Sequence, residues 1–247
     1  AGYKAPIDMD EFAVAGGLHG EPVKLVRCET NDVLVPANAE IVLEGEILPI
    51  GWTEDEGRFG EFQHLQGDVK WNPVVRIKAI THRNDAIFYA LHMPWENDWL
   101  SGPAVEAAAW RALKEASVEA VAVRSTPGSC CSFELIASIK KRAGEGKNAL
   151  LALLSVGQVK LAIVTDDDID IFDPYELDWA LALRVQADQD VLVIPGARGK
   201  HLDPSVKAWT LPKHALPTSA KLGIDATIPD GVPRDRYERL MYTYRDE

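Results

Sequence analysis

"VKLAIVTDDDIDIFD" at Val159–Asp173, followed at once by "PYELDWALALRVQA" at Pro174–Ala187, is the stretch that decides the fold. The first part is a short apolar run rich in Val and Ile that ends in acids, which reads as a buried strand. The second opens on proline and continues with Leu, Ala and Glu, which reads as a helix with its proline in the first turn. "DVLVIPG" at Asp190–Gly196 is a strand again. Working back from this unit, "VEAVAVRST" at Val118–Thr126 reads as a strand, and "SFELIASIKKRAGEGKNALLALLS" at Ser132–Ser155 as one or two helices broken near Gly144. Strands alternating with helices predict βαβ units and a mainly parallel sheet over 118–247. The tail after Pro195 is loop-rich until "PRDRYERLMYTYRDE", read as a terminal helix.

The N-terminal part has another rhythm. "VKLVRCE", "AEIVLEGEIL", "PVVRIKAITHR" and "AIFYALHM", between Pro22 and Met93, are strand-like, with turn formers at Thr30-Asn31-Asp32, Gly51 and Gly67-Asp68. Closely repeated strands predict a barrel or sandwich. "MPWENDWLSGP" breaks the pattern with Pro94 and Pro103 at its edges, and Pro103–Ser117 reads as a connecting helix. The layout is α+β / α/β: a β domain at 1–100, a linker helix at 101–117 and an α/β domain at 118–247.

Composition narrows the function classes. Of 247 residues, 47% are hydrophobic and 26% charged, an ordinary globular balance. The formal net charge of −12 argues against a nucleic-acid partner, because no basic block offsets it. The longest apolar runs, such as "NALLALLSVG", are too short to span a bilayer, so no membrane is expected. Three cysteines (Cys28, Cys130, Cys131) make no disulfide framework and point to a reducing cytoplasm.

Several motifs are set aside on chemical grounds. Asp166, Asp168 and Asp170 alternate as in a calcium loop, but Ile171 stands where glycine is needed and Leu177 where glutamate is. "AGEGKN" and "GARGKH" fail the phosphate-loop patterns and read as turns. The histidines, among them His19, His64, His82 and His92 in the β half, lack i, i+4 metal pairing and read as structural. Cys130-Cys131 sits in a turn and reads as packing. "DMDEF" at Asp8–Phe12 reads as a helix N-terminus with acids at the positive end of the dipole, and equally as the source of one metal-binding carboxylate.

The segment with the most chemical interest is "EGRFGE", which sets Glu56 and Glu61 five residues apart. That spacing puts side chains roughly 140° apart on a helix and on opposite faces of a strand. Joint action therefore requires a curled loop, for which Gly57 and Gly60 supply the freedom. The alternative is a solvated acidic turn.

Taken together, "DEFAVAGGLHGEPVKLVRCETNDVLVPANAEIVLEGEI", "EGRFGEF", "RIKAITHRNDAIFYA", "VKLAIVTDDDIDIFDP", "WALALRVQADQDVLV", "LDPS" and "KLGIDATIP" resemble the UbiD-like decarboxylases that use prenylated FMN. The pieces cover nearly the whole chain and occur in that family's order. The resemblance implies a C-terminal part of such an enzyme: the remainder of a split β-barrel flavin-binding domain, a linker helix, and a C-terminal domain used for homo-oligomerisation. It implies a missing N-terminal portion or companion chain that carries an arginine, an asparagine and a histidine of the site.

By the same match, Glu56 pairs with that arginine and Glu61 is the proton donor. Glu11 is a ligand of the divalent metal, Mn2+ (with K+ as a further ion), that holds the cofactor phosphate. Arg58 stands where the family has proline, and it is expected to pair with a second anionic group on the substrate or a neighbouring strand. Phe62 lies where the substrate pocket is lined, and "MPWENDWLSGP" is a candidate for shaping substrate choice. The implied reaction is reversible, non-oxidative decarboxylation of an aromatic or α,β-unsaturated carboxylic acid. Loss of carbon dioxide leaves a carbanion-like carbon, so an electron sink and a well-placed acid are both needed. Two alternatives stay open: a non-catalytic scaffold subunit of a multi-subunit (de)carboxylase, and a two-carboxylate glycosidase, whose acids stand about 5–10 Å apart.

Overall fold

The computed structural model of the chain describes residues 8–207, 211 and 215–240. Contacts divide it into two units, one of residues 1–61 with 65–93 and one of residues 62–64 with 94–247.

In the first unit, α1 (Glu11–His19) is capped by Asp10, whose side chain accepts from the Phe12 N–H, and it ends at Gly20 in the left-handed region (φ 85°). Two antiparallel ladders follow: β1 (Leu25–Arg27) with β2 (Leu34–Pro36), and the long β3 (Ile41–Glu56) with β4 (Lys70–His82). "AIFYALHM", expected as a further strand, is irregular; its Ile87, Phe88 and Tyr89 are exposed and meet no ladder that would pair them. The β3–β4 ribbon is apolar on an open face. Leu43 stands opposite Ile80 and Ile47 opposite Val75, and all four side chains are exposed.

Glu44, on the alternate face, is buried and anchors the predicted Thr30 turn. Its Oε1 accepts from the Glu29 N–H at 2.9 Å, and its Oε2 accepts from the Thr30 N–H and hydroxyl, both at 2.7 Å. The Thr30 hydroxyl and these amides hold the Glu44 carboxyl below its ordinary 4.5. A carboxyl with a lowered native pKa stabilises the fold above its unfolded value, and that contribution is lost as pH falls through the native value. Thermal unfolding between pH 7 and pH 3 is therefore expected to show a smaller acid loss in Glu44→Gln than in the parent chain. Equal losses would contradict this role.

The second unit is a five-stranded sheet in the order β5-β6-β7-β9-β8, made of β5 (Ala120–Ser125), β6 (Glu134–Ile139), β7 (Leu161–Asp166), β8 (Val191–Arg198) and β9 (Thr218–Ala226). The β6–β7 and β7–β9 pairs are parallel, and the β5–β6 and β8–β9 pairs antiparallel. The sheet is thus mixed, where a mainly parallel one was expected. One core cluster holds Leu113, Leu135, Leu150 and Val164, and another holds Ile136, Ile163, Ile171 and Ala180. Adjacent residues of β6 therefore pack into different clusters. A strand buried on both faces has no period of two, so "ELIASI" looked helical and is a strand. The helical part of that stretch is α3 (Glu145–Ser155).

β9 was expected as loop. Its Gly223 makes room for Leu150, whose Cδ1 would lie 3.1 Å from an added Cβ. The remaining helices are α2 (Trp95–Glu115), α4 (Pro174–Arg184), capped by Asp173, and the short α5 (Ala187–Asp190). α2 begins at Trp95, not Pro103, and carries Pro103 inside it. It buries Ala109 and Leu113 completely, the leucine contributing roughly 2 kcal/mol, which offsets the backbone hydrogen bond that Pro103 cannot donate. At the C-terminus Arg234–Tyr237 is a single 3-10 turn and Glu238–Leu240 is not helical; the rest of the expected terminal helix lies outside the described residues. Among the described residues no helix is long and apolar enough to cross a membrane.

Acids at the end of β7 and in the loop that follows it pair with arginines. Arg184, in the last turn of α4, is fully buried; it donates to Asp168 at 3.0 and 2.6 Å and to Asp166 at 3.4 Å. Burial pushes the Asp166 carboxyl above its ordinary value, even though it also accepts from the Ile228 N–H.

Candidate functional site

The residues singled out above fall mostly on the loop between β3 and β4. β3 ends at Glu56, and the chain turns back through a tight excursion: Gly60 bridges Gln66, the Glu61 N–H donates to the Leu65 carbonyl, and the Gly67 N–H to the Phe59 carbonyl, both at 2.9 Å. Arg58 closes the loop from the side, its Nε donating to the Gly67 carbonyl at 2.9 Å. The left-handed residue of the turn is His64 (φ 62°), so the curl does not depend on positive φ at the two glycines of the motif. At Gly57 an added Cβ would meet nothing within 4 Å.

Glu56 and Glu61 are handled by neighbouring residues of β4. Lys70 stands directly opposite Glu56 in the ladder, and its Nζ lies 3.2 Å from Glu61 Oε1. Asn72, two residues on, donates from Nδ2 to Glu56 Oε2 at 2.7 Å. Residues i and i+2 share a face of a strand, so both carboxylates are held from one side of β4. Their surroundings differ: Glu61 is buried and Glu56 exposed. The pair is thus an enclosed acid with an ammonium partner beside an open acid with a neutral one.

Glu61 owes its place to Gly67, which the sequence marks only as a turn former. A Cβ on Gly67 would lie 2.9 Å from Glu61 Cγ and 3.0 Å from Oε1. Gly67→Ala is expected to push the Glu61 carboxylate off Lys70, read as a shift of the Glu61 carboxyl carbon resonance with the fold retained. An unmoved resonance would show that the pocket yields instead. The interlocking of Glu61 with Gly67 and Lys70 had no signal in local spacing, since Gly67 lies on the returning side of the loop and Lys70 at the start of β4.

The other expected residues stand elsewhere. Glu11 is exposed on the first turn of α1, where a carboxylate also suits the helix dipole. Phe62 is buried in the second unit; its ring stacks on Phe133 at 5.7 Å between centroids, and Lys200 Nζ lies 3.6 Å from its centre.

Comparison with known proteins follows the same division of the chain. Residues 1–94 match the family model for the 3-octaprenyl-4-hydroxybenzoate carboxy-lyase Rift-related domain, and residues 98–226 match the model for the C-terminal domain of that carboxy-lyase. Anhydromevalonate phosphate decarboxylase of Methanothermobacter thermautotrophicus is 41% identical over 229 residues, covering 91% of this chain and 52% of that protein. Phenolic acid decarboxylase of Bacillus subtilis is 34% identical over 233 residues, 90% of this chain and 47% of that one. The structure of the UbiD-class enzyme HmfF from Pelotomaculum thermopropionicum in complex with FMN superposes with a TM-score of 0.86 at 40% identity, over 99% of this chain and 54% of that chain. The chain spans about half the length of the curated relatives it matches.

Proposed function

The chain belongs to the UbiD family, and on that premise we propose that it is the C-terminal part of a prenylated-FMN-dependent carboxy-lyase acting on an aromatic or α,β-unsaturated carboxylic acid. The observation that carries this reading is the buried Glu61, held by Lys70 in a closed loop beside Glu56. A scaffold has no chemical use for such a pair.

The residues present suit the cofactor. Glu11, exposed at a helix start, offers hard oxygen donors of the kind Mn2+ takes, with K+ as a further ion. The open apolar face of β3–β4, with Leu43, Ile47, Val75 and Ile80, suits coverage by the remaining strands of a split barrel. Those strands are assigned to an N-terminal portion or a companion chain. Prenylated FMN, when bound, supplies the electron sink for the loss of carbon dioxide.

The protein's own tasks follow from the loop. Glu61 delivers the proton to the carbon that loses its carboxylate, because it is the enclosed acid of the two. Glu56 organises the site through its polar partners. Lys70 keeps the Glu61 carboxylate aimed, and Arg58 keeps the loop closed through Gly67 while placing a cation near a second anionic group of the substrate. Run in reverse, the same acid accepts the proton and the reaction is a carboxylation. The C-terminal unit is assigned to homo-oligomer assembly.

Two relatives narrow the substrate panel, one acting on anhydromevalonate phosphate and one on phenolic acids. The test is to purify the native protein, supply prenylated FMN and Mn2+, and follow carbon dioxide release from aromatic and α,β-unsaturated acids, anhydromevalonate phosphate included. Release from a member of the panel, with flavin absorbance retained by the protein, is the expected result. A colourless protein that releases none would overturn it and favour a scaffold.

A further inference from the structure

His64, Asp98 and Cys130 come from three separate segments: the turn after Phe62, the first turn of α2 and the turn after β5. One ligand atom of each lies within 4.8 Å of the others. All three belong to the second unit. His64 Nε2 is 2.8 Å from Asp98 Oδ2.

That hydrogen bond accounts for only half of the carboxylate. Asp98 is 4% exposed, and its Oδ1 has no hydrogen-bond partner. Buried polar atoms in native proteins are nearly always satisfied, so an orphan oxygen on a carboxylate that belongs to a cluster of metal-type donors calls for a ligand. The backbone is unusual at two of the three residues, with φ 62° at His64 and 58° at Cys130, a conformation few non-glycine residues adopt.

We propose that His64, Asp98 and Cys130 bind a transition-metal ion of the zinc class, with a fourth position left to water. Imidazole, thiolate and carboxylate are the donors that such an ion takes, and three protein ligands with one open position is a common arrangement. The sulfur selects against Mg2+ and Mn2+, which favour oxygen donors, so this site is chemically distinct from one built on Glu11. Tetrahedral bonds of about 2.0–2.3 Å put ligand atoms roughly 3.3–3.8 Å apart. The exposed His64 ring, packed edge-on against Trp95 at 5.7 Å, can close that gap. On binding, the metal takes His64 Nε2, the imidazole keeping its one proton on Nδ1 and any proton held between His64 and Asp98 passing to solvent. Asp98 Oδ1 becomes a ligand, and the Cys130 thiol proton is released to solvent as the thiolate binds. The metal thereby staples the segment Phe62–His64 to α2 and to the Cys130 turn. This inference does not depend on the decarboxylase reading.

The experiment uses the native protein stripped with a chelator and titrated with Co2+, then with Zn2+. The expected result is one equivalent bound, with a sulfur-to-cobalt charge-transfer band and the intense visible bands of a four-coordinate ion. Cys130→Ser abolishes the charge-transfer band, whereas Cys28→Ser keeps it. Asp98→Asn and His64→Asn weaken binding by more than the ~10–100-fold typical of losing an outer partner of a metal site. His64, exposed at a turn, tolerates replacement without unfolding and so reads the site even if Cys130→Ser fails to fold. Absence of a charge-transfer band in the parent protein, its survival in Cys130→Ser, or unchanged affinity in His64→Asn would overturn the proposal.

Discussion

Glu61→Gln in the complete, cofactor-loaded enzyme is expected to lower kcat for decarboxylation about 10²–10⁴-fold, the range that positioned acid–base groups contribute. Glutamine keeps the volume of the side chain and can still meet Lys70, so the buried loop has no steric reason to open. What it lacks is a proton to give. The fall is expected in kcat with little change in KM, because the lost interaction is made with the developing carbanion and not with the bound acid. Glu56 is exposed and bonded to Asn72, and with the organising role proposed for it Glu56→Gln is expected to move KM and kcat together. Steady-state kinetics on both variants, with thermal unfolding as a control for the fold, checks the pair. A Glu61→Gln enzyme that keeps more than a tenth of its rate would remove the proton-donor assignment.

Arg184→Leu is expected to destabilise the second unit by about 3–5 kcal/mol, as removal of one partner from a buried ion pair does. The guanidinium is fully buried, pairs with Asp166 and Asp168, and lies 5.2 Å from the ring centres of both Trp179 and Tyr237. Leucine fills part of the space and leaves Asp166 without its buried partner, with only the exposed Arg234 at 4.0 Å and the Ile228 N–H to meet its charge. The pH dependence distinguishes this from simple loss of packing. Asp166 already titrates above its ordinary 3.8 in the folded protein because it is buried. A raised carboxyl pKa means the folded state holds the proton more tightly, so stability declines as pH rises from the unfolded value through the folded one. Without Arg184 that decline is expected to grow and to extend to higher pH, leaving the variant closest to the parent in acid. Urea unfolding at several pH values measures it, and a pH-independent loss would point to packing alone.

Much of the architecture could be read from local pattern, and the exceptions have specific causes. β5, β7, β8 and α4 stand where alternation, proline placement and acidic ends put them. β6 was misread because burial on both faces erases the alternation that marks a strand. α2 starts ahead of Pro103, and the turns it adds there bury Asp98 and Gly102, a tertiary contact with no mark in local composition. The mixed character of the sheet depends on where β9 enters it, between β7 and β8, and strand order leaves no trace in local composition.

The candidate site divides in the same way. Sequence alone determined the candidates for chemistry: two glutamates whose joint action requires a curled loop, an acidic helix start, and an order of segments that marks the family. It could not say which glutamate is enclosed, what holds it, or that His64, Asp98 and Cys130 meet. Those followed only from the tertiary structure, because each partner arrives from another segment: Lys70 and Gly67 from the returning arm of the hairpin, Asp98 from α2, Cys130 from the turn beyond β5. Local propensities act over a few residues along the chain. Burial and ion pairing act over a few ångströms in space, and only folding makes those two kinds of neighbourhood coincide.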